Sequence, residues 1–270
     1  MVAFVPGSLR SQASQSWKDC VAGCESDAAL SMERWAEDLA RIRLQRSLTL
    51  DELNKPPRNE HHRAWQDAVR SNLTESAALN KEIASAGVPF DVGELGSVRA
   101  PYPEIVPLLT RHLMLDYSRD VLGAIIAAMT VPYGDREALD ALLGVLHEKR
   151  NSGDRDILFS VGNAIAAIAK GLHDTETLYD VASDPRNGAA RSESLVTLAT
   201  LGDERAIRLA VDRLVERDNP WAAMNALRKA KAWSARSVVE PYLTDETSEY
   251  RAEAKKFMQS AEKALARKSR

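Results

Sequence analysis

The chain has 270 residues, 44% hydrophobic and 28% charged, which suits one large or two small globular domains. A formal net charge of −3 and a pI near 6.0 exclude nucleic-acid or membrane binding driven by overall positive charge. No window approaches the roughly eighteen apolar residues of a membrane span, and a 6% aromatic content beside abundant alanine and leucine favours helix over sheet.

The N-terminus, MVAFVPGSLR, carries no charged segment ahead of its few apolar residues, which points to a soluble, cytoplasmic chain. Residues 14–24 and 27–46 read as helices. Cys20 and Cys24, one turn apart in the first, could bridge only consecutive turns and have no histidine nearby to complete a zinc set. They read as reduced thiols. In the second helix Leu30, Trp35, Leu39, Ile42 and Arg43 form a stripe at helical spacing, and Pro56-Pro57 is a firm break. A third, polar helix is predicted over 59–86 with Trp65, Val69, Leu73 and Leu79 inward, followed by a loop or short helical turn over 90–100.

A rhythm then sets in. Helix pairs begin near Tyr102, Asp135, Asp174, Asp203 and Ser234, at spacings by subtraction of 33, 39, 29 and 31 residues. Units of this length, each a helix, a turn and a helix, mark a solenoid. The paired apolar stripes are Ile105–Leu109 with Val121–Met129, then Leu139–Leu146 with Ile157–Ile168, then Leu178 and Val181 with Leu195–Leu201. Ile207–Leu214 faces Trp221, Met224 and Leu227, and Val238–Leu243 faces Tyr250, Ala254, Phe257, Met258 and Leu265. Each pair alone would leave an apolar face in water, and stacking removes it at roughly 25 cal/mol per Å². Ala124, Ala127, Ala128, Ala166 and Ala167 are the small residues expected to let adjacent helices approach. The junction is clearest at Leu201-Gly202-Asp203, where Gly202 suits a left-handed helix end and Asp203 can accept from the free N–H groups of the next helix. The final helix is the natural cap. Residues 251–270 hold seven Lys/Arg and two Asp/Glu, a local +5 that leaves −8 upstream (−3 − 5 = −8).

Five stretches carry a resemblance. They are Tyr102-Pro103-Glu104-Ile105-Val106-Pro107-Leu108-Leu109, Gly162-Asn163-Ala164-Ile165-Ala166, Gly188-Ala189-Ala190-Arg191, Leu201-Gly202-Asp203-Glu204-Arg205-Ala206 and Tyr250-Arg251-Ala252-Glu253-Ala254-Lys255-Lys256. With them the segment from about Ala84 to Ala266 resembles a widespread group of bacterial HEAT-repeat proteins, related to armadillo-like folds. The resemblance implies an all-α, right-handed α-solenoid of about five HEAT-like helix pairs, at 102–133, 135–171, 174–201, 203–231 and 234–267. Residues 1–100 would form an N-terminal helical region capping it, and residues 101–270 the repeat domain. It also implies a curved interaction scaffold, since some proteins of this type neutralise toxins or assemble complexes.

Little in the sequence argues for catalysis. No nucleophile elbow, phosphate-binding loop, dinucleotide fingerprint or zinc-protease motif is present. His147-Glu148 is a single pair at a helix end, short of the several pairs a di-iron centre needs, and in Glu60-His61-His62 adjacent side chains diverge by about 100°. The expectation is a protein without enzymatic activity, cofactor or metal.

Asn163 and Asn225 hold equivalent places, in VGNAIAAI and AMNALRKA. They either line a concave binding face or form an interhelical ladder in which each amide satisfies backbone groups of the neighbouring repeat. Arg191 and Arg251 open inner helices, to contact a ligand or to pair with a carboxylate such as Asp184 or Glu193. Trp221 and Trp233 bracket Arg228-Lys229-Ala230-Lys231, an arrangement able to stack on bases and bind phosphates. Trp221, after Pro220 at a helix start, is otherwise expected to fill the core.

The expected function is therefore a scaffold that binds a protein partner through the concave surface. Arg119, Asp120, Arg155, Asp156, Asn163, Arg191, Glu193, Asn225, Arg228 and Arg251 would line it. The alternative is a nucleic-acid-binding protein related to the HEAT-like alkylpurine DNA glycosylases, using the basic C-terminal third.

Overall fold

A computed structural model describes residues 36–268, and among them every regular element is helical. Helix α1 covers residues 36–53, and α2 (Glu60–Glu75), α3 (Ala77–Ser85) and α4 (Val92–Leu95) complete the N-terminal part. Ten more follow: α5 (Val106–Leu113), α6 (Arg119–Ala128), α7 (Arg136–Lys149), α8 (Arg155–Leu172), α9 (Thr175–Ser183), α10 (Arg191–Thr200), α11 (Arg205–Glu216), α12 (Pro220–Lys229), α13 (Arg236–Val239) and α14 (Ser248–Lys268). Short 3₁₀ segments link several of them, the longest at Pro185–Ala190.

Side-chain caps set the starts. Asn59, Asp135, Asp154, Asp174 and Asn219 each accept a hydrogen bond from the backbone N–H three residues on, which satisfies one of the orphan donors of a first turn. Gly202 ends α10 at φ +83°, and Asp203 accepts from Arg205 N at 2.9 Å, as the Leu-Gly-Asp junction predicts.

The helices pack in a regular alternation. From α5 onward each helix touches its sequence partner: α5 with α6, α7 with α8, α9 with α10, α11 with α12, α13 with α14. The even-numbered helices also touch in series, α4–α6–α8–α10–α12–α14. Among the odd-numbered, α3 meets α5, α5 meets α7, α9 meets α11 and α11 meets α13. Close approach along the even row needs residues without side chains. A Cβ on Gly162 of α8 would lie 2.4 Å from the Ala190 backbone, and one on Gly171 would lie 1.7 Å from Pro132 O. Of the five alanines expected at these contacts, Ala128 and Ala166 are buried and Ala124 and Ala167 half-buried, while Ala127 is exposed.

Ion pairs tie two of the caps, Asp154 and Asp174, and two acids near other helix starts to earlier elements. Arg119 Nε donates to Asp154 at 2.6 Å, Arg136 to Asp174 at 2.6 Å and Arg217 to Asp245 at 2.5 Å, while Arg191 pairs with Asp218. Asp154, Asp174 and Asp245 thus serve twice, each on a backbone amide two or three residues on and on a guanidinium from an earlier element. Arg119 holds the Asp154 carboxyl down to about 2, with the Ile157 amide assisting.

The N-terminal part departs from expectation in three places. Helix α1 continues past Arg46 to residue 53, because Leu53 is buried beside α2. The predicted helix over 59–86 is two helices, joined at Ser76, whose hydroxyl donates to Asn72 O. Trp65 and Leu73 are 40% and 41% exposed, and Gln66 is buried in their stead. The reason is the end of α1. Its last carbonyls have no intrahelical donors, and Gln66 Nε2 donates to Glu52 O and Lys55 O, both at 2.9 Å, while Arg70 reaches Leu53 O. Leu79 is buried as expected; Arg43 is exposed. Leu265, expected in the core, is 53% exposed. The helix predicted at 14–24, both cysteines, Leu30 and Trp35 lie outside the described residues.

Candidate functional site

The ten residues singled out from the sequence all fall on even-numbered helices, on α6 (Arg119, Asp120), α8 (Arg155, Asp156, Asn163), α10 (Arg191, Glu193), α12 (Asn225, Arg228) and α14 (Arg251). Their environments differ. Arg155 is exposed with no ion-pair partner among the described residues, whereas Arg119 is spent on Asp154 and Asp156. Asp120 is exposed and accepts from Asn72 Nδ2 at 3.3 Å.

Arg191 takes the intramolecular alternative, pairing with a carboxylate other than the two expected. It pairs with neither Asp184, which is taken by Arg186, nor Glu193. Only 8% exposed, it donates to Ala182 O at 3.0 Å and pairs with Asp218, the residue before the α12 cap. Arg213 of α11, 2% exposed, reaches the same Ala182 carbonyl at 3.1 Å and stands 3.8 Å from the same Asp218 carboxylate. Burial, with Arg191 adding like charge, brings the Arg213 guanidinium down to about 10. Arg251 is likewise internal in role, donating to the carbonyls of Asp245 and Glu246 at 2.6 and 2.8 Å. Arg228 donates to buried Glu253 at 2.9 Å and to Asn225 Oδ1 at 2.7 Å.

The amide ladder is not formed. Asn225 bonds within its own helix, and Asn163 is half-exposed with no side-chain hydrogen bond to another described residue. Trp221 does not fill the core; Pro220 does, and the indole is 37% exposed. Trp233, half-buried, meets Phe257 edge-on at 5.4 Å, and Arg236 stands 3.8 Å from Glu262. Much of the aromatic–cation cluster that suggested nucleic acid is therefore engaged within the chain.

What the fold does bring together is a cavity of about 670 Å³ at the first turns of α8, α10 and α12, closed by Tyr250 of α14. Arg155, Asp156, Phe159, Ser192, Asp218 and Asn219 supply most of its chemistry. Asn219, in the left-handed region at φ +47°, caps α12 and donates to Ser192 Oγ at 2.6 Å, which locks the wall between α10 and α12. Phe159 is 47% exposed. It follows Arg155 by one turn on the polar side of α8, and that break in the amphipathic pattern is the signal by which it could have been found. On the same row of helices Glu193 is half-buried; burial raises its carboxyl, against the pull of Lys229 on α12 and Lys170 on α8.

Among the described residues no three of His, Cys, Asp and Glu gather as metal ligands, and no helix is long and apolar enough to cross a membrane. No family model and no curated protein matches the chain. One solved structure, described as an engineered protein, aligns with 64% of this chain and 89% of its own at 18% identity and a TM-score of 0.38. A likeness that weak carries no argument.

Proposed function

We propose that this chain is a right-handed, HEAT-like α-solenoid capped by its N-terminal helices, acting in the cytoplasm as a non-enzymatic scaffold that holds a protein partner. The support for the solenoid is the packing order: sequence partners touch, and even helices touch in series. Neutralising a toxin or assembling a complex are the roles that the HEAT resemblance offers.

One observation carries the binding surface. After the internal ion pairs are formed, α8 still presents Arg155 and Phe159 on the cavity wall and a half-exposed Asn163, α12 presents Trp221, and α10 between them carries the half-buried Glu193. Aromatic anchors among uncommitted polar groups are what a protein interface uses for affinity and register.

The test uses Arg155→Glu and Phe159→Ala, singly and combined. Both residues are exposed, so the helical circular dichroism should be unchanged. Affinity for a partner purified from producing cells should fall about tenfold or more in the double variant. Wild-type affinity in that variant means the face is wrongly assigned. Gel-shift titration at low salt serves as the control, because retention of nucleic acid that fades steeply with ionic strength would favour the nucleic-acid reading.

A further inference from the structure

A second cavity, of about 340 Å³, lies between α1, α2, α4 and α6. It falls in the size range of small-molecule sites. Leu50, Leu73, Val92 and Val121 give it apolar walls, and Leu50 and Leu73 remain 46% and 41% exposed. Polar groups are gathered at Arg46, Asp91, Glu94 and Asp120.

The charge balance there decides what fits. Arg46 Nε donates to Glu94 Oε1 at 2.8 Å and its Nη2 is shared between Glu94 and Asp91, the latter at 3.2 Å. Glu94 also accepts from Asp91 N at 2.8 Å. One guanidinium is thus divided between two carboxylates, and Asp120, more than half exposed, brings a third, which accepts from the neutral Asn72 amide and stands 3.9 Å from Arg119, whose hydrogen bonds go to Asp154 and Asp156. With Arg119 and its partners included, five carboxylates (Asp91, Glu94, Asp120, Asp154 and Asp156) face two guanidiniums, and the surplus is negative. Burial, with the neighbouring Glu94 charge, raises the Asp91 carboxyl in spite of Arg46. An anion would meet a saturated arginine and surplus carboxylates. A cation with an apolar body would meet an attractive field and walls that desolvate it.

We infer that this cavity is a binding site for a small amphipathic amine, its ammonium group at Asp91 and Asp120 and its apolar body against Leu50, Leu73, Val92 and Val121. This cavity shares no lining residue with the one at α8, α10 and α12, and the substitutions that test it are not those that test the protein-binding face.

The experiment uses the full chain and two probes with one body and opposite charge, 4-phenylbutylamine and 4-phenylbutyrate, followed by calorimetric titration. The amine should bind at least about tenfold more tightly than the acid. Leu73→Arg, at an exposed position, places a tethered cation in the cavity and should abolish amine binding with circular dichroism unchanged. Asp91→Asn should weaken the amine and leave the acid unaffected. Equal affinity for the two probes, no binding of the amine, or amine binding that survives Leu73→Arg in a folded variant would each overturn the assignment.

Discussion

Asp218 is the point at which the candidate surface and the stability of the fold meet. Its carboxylate compensates two guanidinium groups, Arg191 at 8% and Arg213 at 2% exposure. Asp218→Ala leaves both guanidiniums without their carboxylate, although the Asp218 side chain is itself 44% exposed on the cavity wall. Breaking a fully buried pair by removal of one partner costs about 3–5 kcal/mol, and solvent at Asp218 brings the expected loss down to about 2 kcal/mol. That is still a sizeable part of a domain's stability of about 5–15 kcal/mol. Arg213→Met alone should be nearly neutral, because it removes an imperfectly compensated cation, and Ala182 O keeps its bond from Arg191. Combined with Asp218→Ala, it should recover about half of that loss, since only one unpaired guanidinium remains. Urea unfolding monitored by circular dichroism gives the three values. Asp218→Ala costing less than about 1 kcal/mol would show that water reaches both arginines through the cavity, and absence of rescue by Arg213→Met would show that the two cations do not share the carboxylate.

Other consequences are accessible by the same assay. Gly171→Ala and Gly162→Ala place a methyl against the Pro132 and Ala190 backbones, and each should cost about 2 kcal/mol or more despite alanine's better helix propensity. Asp38 is fully buried and accepts from the Arg99 and Ala100 amides at 2.6 and 3.2 Å. Burial raises its carboxyl, but those amides with Arg99 and Arg41 outweigh it, so the folded pKa lies below the ordinary 3.8. The resulting stabilisation is fully present above that value and is lost as pH falls through the folded pKa; Asp38→Asn should therefore reduce the acid-induced loss of stability below about pH 4. Trp65→Ala should cost under about 1 kcal/mol, whereas Gln66→Ala, which uncaps α1, should cost about 1–3 kcal/mol.

Much of the helical layout could be read from residue patterns because the signals are local. Asp135, Asp154 and Asp174 announce helix starts, Gly202 a helix end, and the apolar spacing in between the buried side. The failures are those where a partner distant in sequence decides. Nothing near Gln66 says that the end of α1 will need its amide, and nothing near Arg191 points 27 residues onward to Asp218. Site residues suffered most. A charge on an inner helix looks the same in sequence whether it faces solvent, as Arg155 does, or is consumed by its neighbours, as Arg191, Arg228 and Arg251 are. Reversing Arg191 and Arg251, two of the residues that sequence alone places on the binding face, would disturb the fold before it tested any interface.

The most direct measurement is site-specific photo-crosslinking in cells that produce the protein. A photoreactive residue would replace Phe159 or Trp221 on the even row, and Asp140 on α7 or Asp212 on α11, both exposed, on the odd row. Capture of one common protein from positions 159 and 221, with neither control position capturing it, is the expected result. Capture of that protein from 140 or 212 while 159 and 221 stay silent would contradict the proposal that α8, α10 and α12 form the binding face.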